Sequence, residues 1–171
     1  MQPATLTTFL QLFTLAEHAA TTRLAPRLAL VLADPAAYHA QYGEELLERG
    51  IEGGLPAQEL RDVALIDALL SEELVWEADW QDAADYLAGG LNETLARQQR
   101  PARLPEQALG ARRLVGPDAL DALQDALEPL GLALALFTLD SDSYALSVVA
   151  DADAETARQL AAELGFSVAV Y

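Results

Sequence analysis

The amino-acid sequence predicts an α+β fold: about four strands in a mostly antiparallel sheet, packed by helices and preceded by a helical segment. Three observations carry this. "LALALF" and "YALSVV" are apolar, strand-length runs joined by "TLDSDS", a turn composition. "LVWEADW" alternates, with Trp76, Ala78 and Trp80 on one side of a pleat and Val75, Glu77 and Asp79 on the other. Most of the remaining chain has helical periodicity. With 171 residues, 52% hydrophobic and 22% charged, there is material for one substantial core. The chain is read as a single domain, 1–171, with a helical portion over 1–55 and a sheet-containing portion over 56–171.

In order, Leu6, Phe9, Leu10 and Phe13 form the stripe of a first helix. "RLAPRLALVLAD" predicts a second, with Pro26 in its first turn, where a missing N–H costs nothing. Asp34-Pro35 is an N-cap followed by Pro at the first helical position, and the third helix ends at Gly50. Pro56 opens a helix to about Leu70 that is apolar nearly all round, interrupted by Asp67.

A strand is expected near 74–80, then a helix from Asp82 to about Ala96 with Gly89-Gly90 as a weak point. Residues 97–116 read as an Arg-rich connection. "GPDALDALQDALEP" sets a stripe of Leu120, Leu123, Leu127 and Leu130 against Asp118, Asp121, Asp125 and Glu128. Strands near 132–139, 143–150 and 166–171 follow, the last two separated by a helix capped at Gly165.

The net charge of −17 would repel nucleic acid and anionic membrane and attract cationic partners, although an acidic surface also serves solubility alone. All ten basic residues are Arg, a bias typical of GC-rich bacterial genes. There is no cysteine, which excludes disulfides, thiolate catalysis and Cys-based metal sites. The N-terminal stretch lacks a basic n-region and carries Gln11 and Glu17, so no signal peptide is read there, and no apolar run is long enough to span a bilayer. A cytoplasmic location is expected.

Four aspartates, Asp140, Asp142, Asp151 and Asp153, form two D-x-D pairs. An EF-hand loop fails on Tyr144 and Ala145, which stand where an acidic or amide residue and a glycine are needed. If 144–150 is extended, the two pairs are more than roughly 20 Å apart at ~3.3 Å per residue. The first pair reads as a hairpin turn and the second as a helix start, its carboxylates capping free N–H groups. Glu77, Asp79, Asp82 and Asp85, near Trp76, Trp80 and Tyr86, form an acidic patch that suits a basic partner. Asp67 is a candidate buried carboxylate with a raised pKa. His18 and His39 have no ligand partner at a metal-binding interval, and no G-x-S-x-G, Walker or dinucleotide motif occurs. No catalytic residue, metal or cofactor is read from the sequence.

"DPAAYHAQYGEELLERGI", "ALIDAL", "WEADWQD", "LDSDSYALSVV" and "AAELGF", in that order, resemble an uncharacterised bacterial family known only as a domain of unknown function. The resemblance covers the chain from about Asp34 onward. It brings no activity or catalytic residues, and by analogy with small acidic immunity-type proteins it implies a binding role.

The leading expectation is therefore a non-enzymatic, acidic interaction module for a basic protein. Its contact residues would be Glu77, Asp79, Asp82, Asp140, Asp142, Ser147 and Tyr171. Ser147, Ser167, Ala169 and Tyr171 would line an open sheet face, opposite a core side of Leu146, Val148, Phe166, Val168 and Val170. The alternatives are a divalent-metal hydrolase built on Asp79 and Asp82 or on Asp140 and Asp142, and a structural subunit of an assembly.

Overall fold

The protein is described here by a computed structural model that covers residues 3–15, 17–139 and 141–171. Three helices come first: α1 (Pro3–Thr14), α2 (His18–Ala33) and α3 (Pro35–Glu48). Asp34 caps α3 by accepting a hydrogen bond from the Ala37 amide, as its sequence position predicts. Pro26 corrects its expectation, because α2 starts eight residues before it and Pro26 lies in the helix interior. An interior proline costs about 3 kcal/mol. Burial of Leu24, Leu28 and Val31, each contributing about 1.5–3 kcal/mol, offsets that cost and keeps the helix continuous.

Helix α4 (Ala57–Ser71) is central and buried, as its all-round apolarity predicts. Strand β1 (Trp76–Asp79) follows, then α5 (Ala84–Arg97), short α6 (Glu106–Gly110) and α7 (Gly116–Leu127). Strands β2 (Leu132–Phe137) and β3 (Ser143–Ala150), helix α8 (Ala154–Leu164) and β4 (Val168–Val170) complete the chain. Gly165 takes a left-handed φ of 75° at the end of α8, the conformation for which glycine is suited. Among the described residues, no helix is long and apolar enough to cross a membrane.

The four strands form one antiparallel sheet in the order β1-β3-β2-β4, and the fold is α+β. Alternation along the central strands sends side chains to two separate cores. Ala133, Ala135, Phe137, Ala145 and Val149 pack with α1, α2, α4 and α8. Leu132, Leu134, Leu146 and Val148 pack with α5 and α7 on the other face.

Helices on both faces overturn the expected open sheet face. Ser147 is fully buried and donates a hydrogen bond to the Leu74 carbonyl at 2.6 Å. Nor do the five proposed core residues share one side: Leu146 and Val148 belong to one core, Phe166, Val168 and Val170 to the other. The strand pattern is polar-alternating at Ser147, yet a single buried hydroxyl with a backbone acceptor satisfies that position.

Three smaller expectations are also corrected. Gly89-Gly90 does not break α5, which runs through both. Trp80 falls one residue beyond β1 and its ring is exposed, because the Asp79 amide bonds the Asp82 carboxylate and turns the chain. Leu130 is exposed in a 3-10 turn after α7, past the point where the helical stripe applies.

Candidate functional site

Asp67 interrupts the apolar face of α4, so a cation must reach it for the fold to carry its charge. Arg49, just after α3, supplies one: its Nε donates to Asp67 Oδ1 while its two terminal nitrogens hold Glu77 of β1 at 2.9 and 3.0 Å. Arg27 of α2 approaches Asp67 Oδ2 at 4.0 Å, bonds Glu45 at 2.8 Å and lies 4.3 Å from the Tyr42 ring centroid. Burial pushes the Asp67 carboxyl above the ordinary range, with Arg49 and Arg27 opposing. Its Oδ2 is buried without a hydrogen-bond partner among the described residues. Burial also pushes the Tyr38 hydroxyl up to about 12, even though that oxygen accepts two hydrogen bonds from Arg27. The network joins α2, α3, α4 and β1. Its chemistry is that of a structural clamp, since both Arg49 forks are filled by internal carboxylates.

The predicted contact residues separate in space. Glu77 is held by Arg49. Asp79 and Asp82 are spent on their own turn, Asp79 accepting from the Gln81 amide and Asp82 from the Asp79 amide. Asp142 is exposed, and its carbonyl accepts from the Trp80 amide. Asp140 lies outside the described residues. Asp151 and Asp153 form a 3-10 turn before α8, but Asp153 makes no side-chain cap; what remains of that expectation is their charge near the helix start. Tyr171 is partly exposed, and its hydroxyl is pushed up by burial and then by Asp121 and Tyr144. Among the described residues, no three His, Asp or Glu side chains stand where they would hold one metal ion together.

A different group is brought together at the other face of β1. Trp76 and Tyr86 meet edge to face, ring centroids 5.9 Å apart, in a groove of about 560 Å³ also lined by Asp85, Glu93, Glu106 and Gly89. The helix α5 positions most of it: Asp85, Gly89 and Glu93 recur every four residues, so two carboxylates flank a dent on one helical face. Gly90 is the seat of the indole. A Cβ added there would lie 2.1 Å from Trp76 Cδ2, which explains why Gly90 persists inside a helix at a cost of about 1 kcal/mol; at Gly89 a Cβ would meet Glu106 only at 3.8 Å, so the same argument does not extend to it.

Glu106 arrives from α6. Buried Asn92 donates to Glu106 Oε1 at 2.7 Å and to the Leu104 carbonyl at 3.2 Å, and accepts from the Leu104 amide at 2.7 Å. The Arg-rich connection is thereby ordered, and its first residue, Arg97, pairs with Glu17 and Glu72. Asn92→Leu is expected to cost about 2–3 kcal/mol by leaving Leu104 groups unpaired. Urea unfolding checks this, and a loss under about 0.5 kcal/mol would mean that Asn92 does not hold the segment.

Sequence reading found Trp76, Tyr86 and Asp85 as part of a crowded acidic stretch but missed Glu93 and Glu106. The four-residue spacing of 85, 89 and 93 is a signal that was present for Glu93. For Glu106 there was none, since only the long-range Asn92 bonds place it.

No curated protein and no solved structure matches this chain. A family model does, over residues 5–171, almost the whole length and including every residue of the Arg49 network and of the Trp76 groove. The chain belongs to the family described as Domain of unknown function (DUF6630).

Proposed function

We propose that the protein is a non-enzymatic, acidic interaction module, acting in the bacterial cytoplasm, that binds a basic protein. One observation carries the reading. Of 27 carboxylates, six accept ion pairs from arginine among the described residues, namely Glu17, Glu45, Asp67, Glu72, Glu77 and Glu155. The internal arginines are thus directed at a few structural positions, and the bulk of the negative charge is left facing outward. Such a field raises encounter rates with a cationic surface and fixes its orientation.

Asp79 and Asp82, one of the two pairs on which a hydrolase reading rests, are engaged by backbone amides of one turn, which favours the interaction reading at that pair. A basic polypeptide is expected to associate with the protein with an affinity that falls at least about tenfold between ~0.05 and ~0.5 M salt. Titration calorimetry with an oligoarginine peptide tests this; salt-independent binding would sink the electrostatic part. A rise in thermal midpoint with Mg²⁺, Mn²⁺ or Ca²⁺ and no binding of the peptide would favour the hydrolase instead.

A further inference from the structure

We propose that the groove between α5 and α6 is a receptor for an arginine side chain of the basic partner. This rests on the interaction reading above and gives it a location and a chemistry. The groove combines features that a guanidinium uses and a solvated acidic face lacks. Trp76 and Tyr86 are set at 64° to each other, so a planar cation that stacks on one ring meets the edge or hydroxyl end of the other. Asp85, Glu93 and Glu106 supply carboxylates on the same walls. None of the three pairs with an arginine among the described residues, whereas Arg97, one turn along α5 from Glu93, is bound to Glu17 and Glu72 instead.

The hydrogen-bond pattern leaves this charge available. Glu106 Oε1 accepts from Asn92, and its other oxygen lies toward Gly89, the floor of the dent. The Trp76 Nε1 group is buried without an acceptor among the described residues, so no hydrogen bond fixes the indole to α5, and the ring is held by its packing on Gly90. Tyr86 is 54% exposed, a large aromatic surface facing water beside unpaired carboxylates. A second groove, lined by Glu73, Val75, Thr94 and Arg97, shares Trp76 and Glu93 as its wall. The chain carrying the arginine has a path along the outside of β1, an edge strand of the sheet. Arginine is preferred over lysine because its fork engages two carboxylates while its plane stacks.

The test uses Trp80→Phe, which removes an exposed ring and leaves Trp76 as the one tryptophan, so fluorescence reports on the groove. Oligoarginine and oligolysine peptides are titrated at low salt into this protein and three derivatives. The first carries Asp85→Asn, Glu93→Gln and Glu106→Gln, the second Tyr86→Ala. The third carries Asp118→Asn, Asp121→Asn and Asp125→Asn, the same charge change on exposed positions of α7. Circular dichroism melts establish that each is folded, and calorimetry follows the same titrations independently of fluorescence. The expected result is an affinity for oligoarginine about tenfold lower in the groove triple variant, two- to threefold for each solvent-facing carboxylate. A loss is also expected in Tyr86→Ala, with less than about threefold in the α7 variant, and weaker binding of oligolysine throughout. Equal losses in the groove and α7 variants would overturn the groove while leaving the acidic module standing. Equal affinity for the two peptides would overturn the guanidinium preference. No binding of either peptide by the parent protein would overturn both readings.

Discussion

Replacing Arg49 by methionine is expected to cost about 3 kcal/mol of folding free energy, because it strips the cation from two carboxylates that remain where they are. Asp67 is the costly one: it stays largely buried, with Arg27 at 4.0 Å as its remaining neighbour of opposite charge. The pH dependence identifies the cause. Asp67 titrates above its ordinary value in the fold, so its favourable contribution is fully present below the ordinary value and is lost as pH rises through the raised folded value. Without Arg49 the folded value rises further, so the gap between variant and parent should be widest near neutrality and shrink toward about pH 4. Each comparison must be made at one pH. Glu72 runs the other way: hydrogen bonding by Arg23 lowers its pKa, and its contribution is lost as pH falls through the folded value. Urea unfolding of both proteins across that range gives the result, and a gap independent of pH would remove Asp67 from the explanation. Adding Asp67→Asn to the variant should recover part of the loss, since the uncompensated charge goes.

Phe13→Ala is expected to cost about 3–5 kcal/mol, the largest core effect predicted here. Phe13 is fully buried at the centre of an aromatic group that ties α1 to the sheet, 5.3 Å from Phe9 and 5.5 Å from Phe137 of β2. Phe9 in turn stacks at 5.7 Å on Phe166, just before β4. The N-terminal helices thus share a core with the strands rather than forming a core of their own, and the variant should unfold in one transition at a lower midpoint by every probe. Separate transitions for helix content and for tryptophan fluorescence would mean that residues 1–55 fold as an independent unit.

What was legible in the sequence follows from the range of the forces involved. Asp34-Pro35, the apolar face of α4, the stripe of α7 and Gly165 at the end of α8 act within one or two turns, and each was read at its place. The alternating strand at Trp76 is legible too, its expected bounds of 74–80 lying within two residues of the observed Trp76–Asp79. Local propensity puts Pro26 in a first turn and makes Gly89-Gly90 a weak point, whereas α2 extends eight residues before Pro26 on the burial of Leu24 and Leu28, and α5 runs through both glycines with the Trp76 ring packed on Gly90. Ser147 was misplaced for a related reason. A serine in an alternating strand looks like a solvent position, and only the tertiary approach of Leu74 reveals its acceptor. The acidic site was half legible. Residues that share an α5 face announce themselves by spacing, whereas Glu106 and the partners of Arg49 are assembled by contacts across the chain.

The most direct test of where this surface binds is a set of amide and indole chemical-shift maps. Isotope-labelled protein is titrated with oligoarginine at about 0.05 M and again at about 0.5 M salt. Shifts concentrated at residues 84–93, at 104–110 and at the Trp76 indole, and abolished by salt, are the predicted result. Shifts spread evenly over α3, α7 and α8 would contradict it, because the peptide would then be reading net charge alone.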